Sequence, residues 1–184
     1  MSVPTLAVAV VVIAVLVVVA IVVGLLRRSP DRQYKAHYGE EYDRLVGEKG
    51  SDSAARQELA AREQRVQGFH IHPADPEQWA GFARSWQEVQ AEFVEDPSRS
   101  VNDADRLVGQ LMETEGYPAA DFDQRAADLS VEHPQAVADY RKAHEIAMSD
   151  GAGDCRTEDL REALISYRST FDDLLGKEPS QARR

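Results

Sequence analysis

An uncharged aliphatic run occupies residues 5–26 and limits what the chain can fold into. It reads TLAVAVVVIAVLVVVAIVVGLL, in which only Thr5 and Gly24 fall outside the aliphatic set. At about 1.5 Å of rise per residue, a helix of this length crosses a hydrocarbon core of roughly 30 Å. Each Val, Ile or Leu favours insertion by about 0.3–0.6 kcal/mol, so the run predicts a transmembrane anchor helix. It contains no ionisable side chain and therefore no proton or ion chemistry of its own.

Two alternatives to an anchor can be weighed from the same run. A cleaved signal peptide has a charged start, a shorter apolar stretch and a small-residue cleavage site, whereas residues 1–4 are uncharged and the run is followed by Arg27 and Arg28. A buried helix of a soluble protein would have a polar face, and this run is apolar on every side. The anchor is the better interpretation.

The charges that flank the run predict its orientation. Arg27, Arg28 and Arg32 follow it, and the N-terminal side has only the α-amino group. Because cytoplasmic flanks are enriched in Lys and Arg, we expect a single-pass protein of the cell membrane. Its N-terminus would lie outside and its helical domain in the cytoplasm, with the opposite orientation as the alternative.

The rest of the chain is acidic. It divides into a short N-terminus (1–4), a basic juxtamembrane linker (27–33), a helical domain (34–176) and a polar tail (177–184). Beyond residue 50, fifteen basic residues face 27 acidic ones, a net charge of −12 in a chain whose total is −11. Such a surface repels nucleic acid and anionic lipid headgroups, so a basic or neutral protein is the expected partner. Alternatively, the acidic charge serves only to keep the domain soluble.

The first part of the domain predicts two helices and a connector. Residues 31–49 place Tyr34, Tyr38 and Tyr42 on one face, which is typical of a core face or of side chains at the membrane headgroups. Residues 52–67 are thinly apolar and predict a mostly solvated arm. Two prolines then favour an extended connector over residues 69–76.

The strongest helical pattern follows this connector. Asp75 and Pro76 predict a capped start, with Gln78 placed to complete a capping box. The helix carries an aromatic seam, which we predict to be the centre of the core or, where exposed, a contact surface. The aromatic seam consists of Trp79, Phe82, Trp86, Val89 and Phe93.

The remaining sequence predicts further helices. Asp96 and Pro97 start one that ends at Gly116, residues 119–129 form a short helix or turn, and His133 and Pro134 open the next. Residues 149–156 read as a loop. Thr157 is the expected cap of a last helix that Gly176 ends. No strand-like alternation occurs, so the predicted fold is all-α: one transmembrane helix followed by a soluble bundle of about five to six helices.

The histidines are the only residues that suggest a metal site. In an extended segment His70 and His72 point to the same side and could share a metal ion, although no further ligand has a recognisable spacing. Alternatively, they flank a buried Ile71 in a loop. His133 at a helix start and His144 on an apolar face are the other candidates, and a core histidine is the commoner role for the latter.

Other motifs are absent from the sequence. There is no P-loop, dinucleotide fingerprint, EF-hand spacing or nucleophile motif, and Cys155 is the single cysteine, so no internal disulfide can form. We therefore predict no catalytic residue, cofactor or small-molecule ligand, and an interaction or scaffold module as the function. The alternative is a membrane-tethered metal-dependent or hydrolytic enzyme that uses His70, His72 or His133 with acidic residues.

Several segments together resemble one family. They are YGEEYDR (38–44), Trp86 with FVEDP (93–97), ADRL (104–107), GYP (116–118), DLSVEHP (128–134) and TEDLR (157–161). The chain resembles a group of membrane-anchored or "secreted" proteins of actinobacteria that has no established activity. The group more often has Pro where this chain has Glu40. The resemblance implies a membrane setting and no site.

Overall fold

A computed structural model of the protein describes residues 30–150 and 155–176, in which all regular secondary structure is helical. The helices are α1 (Pro30–Tyr38), α2 (Glu40–Lys49), α3 (Asp52–Val66), α4 (Pro76–Glu92), α5 (Pro97–Thr114), α6 (Phe122–Glu132), α7 (Ala136–Asp150) and α8 (Thr157–Leu175). The predicted all-α class is confirmed. The predicted number of five to six helices was too low for this part of the chain.

The predicted membrane anchor belongs to a part of the chain that the structure does not describe. Residues 5–26, together with Arg27 and Arg28, lie outside the described residues, as does the polar tail at 177–184. From residue 30 to 150 and from 155 to 176, no helix is both long and apolar enough to cross a bilayer.

The chain separates into two compact units, residues 1–37 and 38–184. In the first unit, the structure describes only residues 30–37, which belong to α1. The second unit contains helices α2 to α8, and the following paragraphs describe this unit alone.

The helix predicted over residues 31–49 is interrupted at Gly39. This glycine has φ 52° and ψ −122°, a conformation that residues with a Cβ rarely adopt. The interruption leaves Tyr38 and Tyr42 buried, with the Tyr38 hydroxyl donating to Glu63 at 2.6 Å and the Tyr42 hydroxyl donating to Asp52 at 2.9 Å. These two tyrosines belong to the protein interior.

Helix α3 packs more tightly than the predicted solvated arm. It lies against α2 and α6, and one of its faces is buried. The buried residues of this face are Ala55, Leu59, Arg62 and Val66. The prediction was wrong because two of these four buried residues, Ala55 and Arg62, are not strongly apolar and so weaken the helical pattern.

The caps of α4 and α5 agree with the prediction. The Asp75 side chain accepts from the backbone N–H of Gln78 at 2.8 Å, and the Gln78 side chain accepts from the Asp75 N–H at 2.9 Å. Asp96 accepts from the N–H of Arg99 at 3.0 Å. Both helices then begin with proline at the first position, where no N–H is needed.

The core is centred on α5 and α8, and not on α4 as predicted. These two helices pack against each other, and α8 also packs along α7. Each of α5 and α8 has eight buried residues, whereas α4 has two, Trp86 and Val89. We predicted the centre of the core at the aromatic seam because its side chains are large. Helix α4 lies instead at the side of the bundle, so most of its rings are only half-buried.

Two other predicted helix starts need correction. Thr157 is the first residue of α8 and not its cap; Arg156 precedes the helix, and its N–H donates to the Asp159 side chain at 3.0 Å. His133 does not open a helix but follows the end of α6, and α7 begins at Ala136. The segment predicted as a short helix or turn is a helix of 11 residues, α6.

Candidate functional site

The aromatic seam of α4 is mostly engaged within the domain. Trp86 stacks on Phe171 with ring centres 4.8 Å apart, and Trp79, Phe82 and Phe93 are partly buried against the core. Arginines of α8 cover two of the rings. The Arg168 guanidinium carbon lies 5.3 Å from the centre of the Trp86 ring, and that of Arg161 lies 5.8 Å from the centre of the Phe93 ring.

The connector histidines lie at the surface. His70 and His72 are exposed, and Ile71 between them is 36% exposed, so the expectation of a buried Ile71 was wrong. The segment is extended, as predicted. Within the described residues, no three His, Cys, Asp or Glu side chains come together as a possible metal site.

The other two candidate histidines, His133 and His144, have defined partners. The Nδ1 atom of His133 lies 2.6 Å from a carboxylate oxygen of Asp173, at the end of α8. The His144 ring stacks on Phe122 with centres 3.5 Å apart, and burial lowers its pKa. The structure does not bring His133 together with His70 or His72 in a cluster of metal ligands.

A buried charged cluster at Glu41 joins four helices. The Glu41 carboxylate accepts from Arg62 at 2.7 Å, from Arg44 at 2.8 and 2.9 Å, and from Arg141 at 3.3 Å. Arg62 also donates to the Ser130 hydroxyl at 3.2 Å. These residues belong to α2, α3, α7 and α6, so the cluster fixes the α2–α3 hairpin to the rest of the domain.

The electrostatics of this cluster are dominated by its guanidinium groups. Burial alone would raise the pKa of Glu41, but the hydrogen bonds and charges of Arg44, Arg141 and Arg62 lower it to about 2. The carboxylate therefore stays ionised at neutral pH and its charge is compensated inside the protein. We interpret the cluster as structural, because each of its charged groups already has a partner.

The sequence contained a signal for this cluster that apolar patterning missed. Arg62 follows Leu59 by three residues and precedes Val66 by four, so it lies on the apolar face of α3. A charged residue at such a position needs a buried partner. The sequence alone could not identify Glu41, which is 21 residues away and on another helix.

A second ion pair fixes α3 to α6. The buried carboxylate of Asp128 accepts from the Nε of Arg65 at 2.7 Å and from the Gln124 side chain at 2.9 Å. Asp128 lies on α6, as does Ser130, which accepts a hydrogen bond from Arg62 of α3. The hairpin is therefore held through two polar contacts with α6 in addition to its apolar face.

The candidate contact surface is an acidic cleft between α7 and α8. It has a volume of about 530 Å³ and is lined by Gln135, Ala136, Asp139, Ser169, Asp172 and Asp173. Asp172 pairs with Arg168 and Asp173 with His133, both at 2.6 Å. Asp139 has no ion-pair partner in the described part of the chain. The acidic cleft therefore combines negative charge with an accessible concave shape.

Comparison of the chain with protein-family models, with curated proteins and with solved structures gives no match in any of the three.

Proposed function

We propose that this chain is a single-pass membrane protein whose helical domain is an interaction or scaffold module for a protein partner. Residues 5–26 are the anchor, and the domain lies in the cytoplasm. The observation that carries the proposal is the uncharged run of 22 residues ahead of a folded, acidic, all-helical domain. The arginines at 27, 28 and 32 support the orientation, and the resemblance to actinobacterial membrane-anchored proteins agrees with the membrane setting.

The proposed partner is a protein with a basic or neutral contact segment. The acidic cleft supports this choice, because Asp139, Asp172 and Asp173 surround a concave surface at which a Lys or Arg side chain could form charge-assisted hydrogen bonds. The same charge disfavours nucleic acid and anionic lipid as ligands. The aromatic seam offers less accessible surface, because Trp86 is fully buried and Arg161 lies over the Phe93 ring.

The enzymatic alternative has less support. His70 and His72 are on the exposed connector, and His133 is engaged with Asp173. No observation on the described residues places these histidines together around one reacting centre, so we do not develop this function further.

Site-specific photo-crosslinking tests the proposed partner. A photoreactive phenylalanine at Ser169, inside the acidic cleft, should capture a reproducible protein partner in membranes, whereas the same group at exposed Gln57 on α3 should not. The double variant Asp139→Asn and Asp172→Asn should reduce capture at Ser169 at least fivefold, and raising the salt concentration should weaken it further.

Two results would contradict the proposal. One is the absence of any reproducible product from Ser169 under conditions in which the chain is abundant and folded. The other is capture that is equal at Ser169 and Gln57, because such labelling would be independent of the cleft.

A further inference from the structure

The connector between α3 and α4 is attached to the C-terminal end of α5. The backbone N–H of His72 donates to the backbone carbonyl of Glu115 at 2.9 Å, and the Phe69 and Tyr117 rings meet edge to face at 6.4 Å. This connector is the covalent joint between the α2–α3 hairpin and helices α4 to α8. Its attachment therefore influences how the two parts of the domain are joined.

The backbones approach each other closely at this attachment. Gly116 has φ 99°, and a Cβ atom placed on it would lie 2.3 Å from the carbonyl oxygen of His70. A side chain at this position would push the connector away from α5. The connector is therefore held against the end of α5 by a tight backbone contact and is not a loose surface loop.

A buried carboxyl group lies within this joint. Glu115 is only 4% exposed, and in the described part of the chain no basic side chain pairs with it. Burial raises its pKa to about 7, although a hydrogen bond from the backbone of Ala74, in the connector, opposes the rise. Glu41 shows the contrast, because its three arginines keep that buried carboxylate ionised.

The surroundings of Glu115 contain few groups that could compensate a negative charge. The connector carries His70, His72 and Asp75, which are all exposed. Glu113, which is also exposed, lies on α5 two residues before Glu115. Tyr117 lies two residues after Glu115. The negative charges of Glu132 and Asp128 on α6, and that of Glu115, contribute to raising the pKa of this tyrosine, after the larger effect of its burial. Arg65 of α3 is already paired with Asp128.

We propose that Glu115 makes the joint between the hairpin and helices α4 to α8 sensitive to pH. With the carboxyl protonated, the connector remains attached to the end of α5. With the carboxyl ionised, its burial without a cation costs free energy, so the connector detaches more often and exposes Tyr117 and Phe69. The device goes beyond the proposed binding function and does not depend on it.

Hydrogen exchange of the full chain, purified in detergent, measures this opening. We would follow the peptide that covers residues 70–75, which includes the His72 amide, and divide its rates by the intrinsic rate at each pH. If detachment returns Glu115 to its ordinary pKa of 4.5, the opening equilibrium should rise about thirtyfold between pH 5.5 and 8.5. In the variant Glu115→Gln, whose side chain stays neutral, the opening equilibrium should stay constant within about threefold over the same pH range.

Two controls separate Glu115 from its neighbours. Glu113→Gln removes an exposed carboxylate of the same helix and should retain the pH dependence. The double variant His70→Gln and His72→Gln removes both histidines of the connector and should retain the pH dependence too. Loss of the dependence in either control would overturn the proposal, as would a flat profile in the unmodified chain.

A direct titration covers the case in which Glu115→Gln does not fold. Carbon-13 spectra of the unmodified chain, labelled at glutamate carboxyl groups, should show the Glu115 signal titrating near pH 7. Titration near its ordinary value of 4.5 would overturn the proposal.

Discussion

At the scale of single residues, the Glu41 carboxylate is bound by guanidinium groups from three helices. Arg44, Arg62 and Arg141 each donate to it, and the residue is only 3% exposed. A buried ion pair contributes little over an apolar replacement of the same size, but removal of one partner leaves the others uncompensated. The cluster therefore makes the domain sensitive to changes at one position.

Glu41→Gln should lower the free energy of unfolding by about 3 kcal/mol at pH 7. The expected size follows from the lowering of the Glu41 pKa from 4.5 to about 2, at about 1.4 kcal/mol per pH unit. Chemical denaturation of the full chain in detergent, followed by circular dichroism, measures the change. Glu40→Gln is the matched control, because Glu40 is exposed and its replacement should cost less than about 0.5 kcal/mol.

The Glu41 contribution should also depend on pH. Because folding lowers the pKa of this carboxyl group, its contribution is complete above pH 4.5 and is lost as the pH falls toward 2. The stability difference between the unmodified chain and Glu41→Gln should therefore shrink across that range. A difference that is unchanged at pH 3 would show that the electrostatic account of this cluster is wrong.

At the scale of helices, local signals in the sequence predicted much of the fold. The Asp75 and Asp96 caps start α4 and α5 as expected, because a cap depends on residues three positions apart. The break at Gly39 was missed, since a glycine inside a helical pattern can be tolerated or can end the helix, and only tertiary packing decides. The pairing of Arg62 with Glu41 could not be predicted, because the two residues lie on different helices and helical periodicity carries no information about contacts between helices.

Asp75→Ala should destabilise the domain by about 1 kcal/mol. The variant removes the side-chain acceptor for the backbone N–H groups of Glu77 and Gln78. Asp75→Asn retains an acceptor and should cost less than half as much. Denaturation midpoints of the two variants check this. Equal losses would indicate that the charge of Asp75, and not its capping bond, stabilises α4.

At the scale of the whole molecule, an uncharged apolar run precedes an acidic helical domain. The residues beyond 50 carry a net charge of −12 and those before them a net charge of +1, so the arginines after the run are the proposed orienting charges. The proposed position of the anchor follows from the sequence because insertion depends on composition and length. The acidic cleft does not follow from the sequence, because α7 and α8 bring Asp139 to Asp172 and Asp173 only in the folded domain.

The accessibility of one cysteine across the membrane tests whether the chain is anchored with its domain in the cytoplasm. Ser180→Cys, in the polar tail and in a Cys155→Ser background, provides a single thiol. We expect to recover the chain in the alkali-washed membrane fraction. We also expect a membrane-impermeant maleimide to label the introduced thiol only after the cells are lysed. Labelling in intact cells would contradict the cytoplasmic domain, and recovery of the chain outside the membrane fraction would contradict the anchor itself.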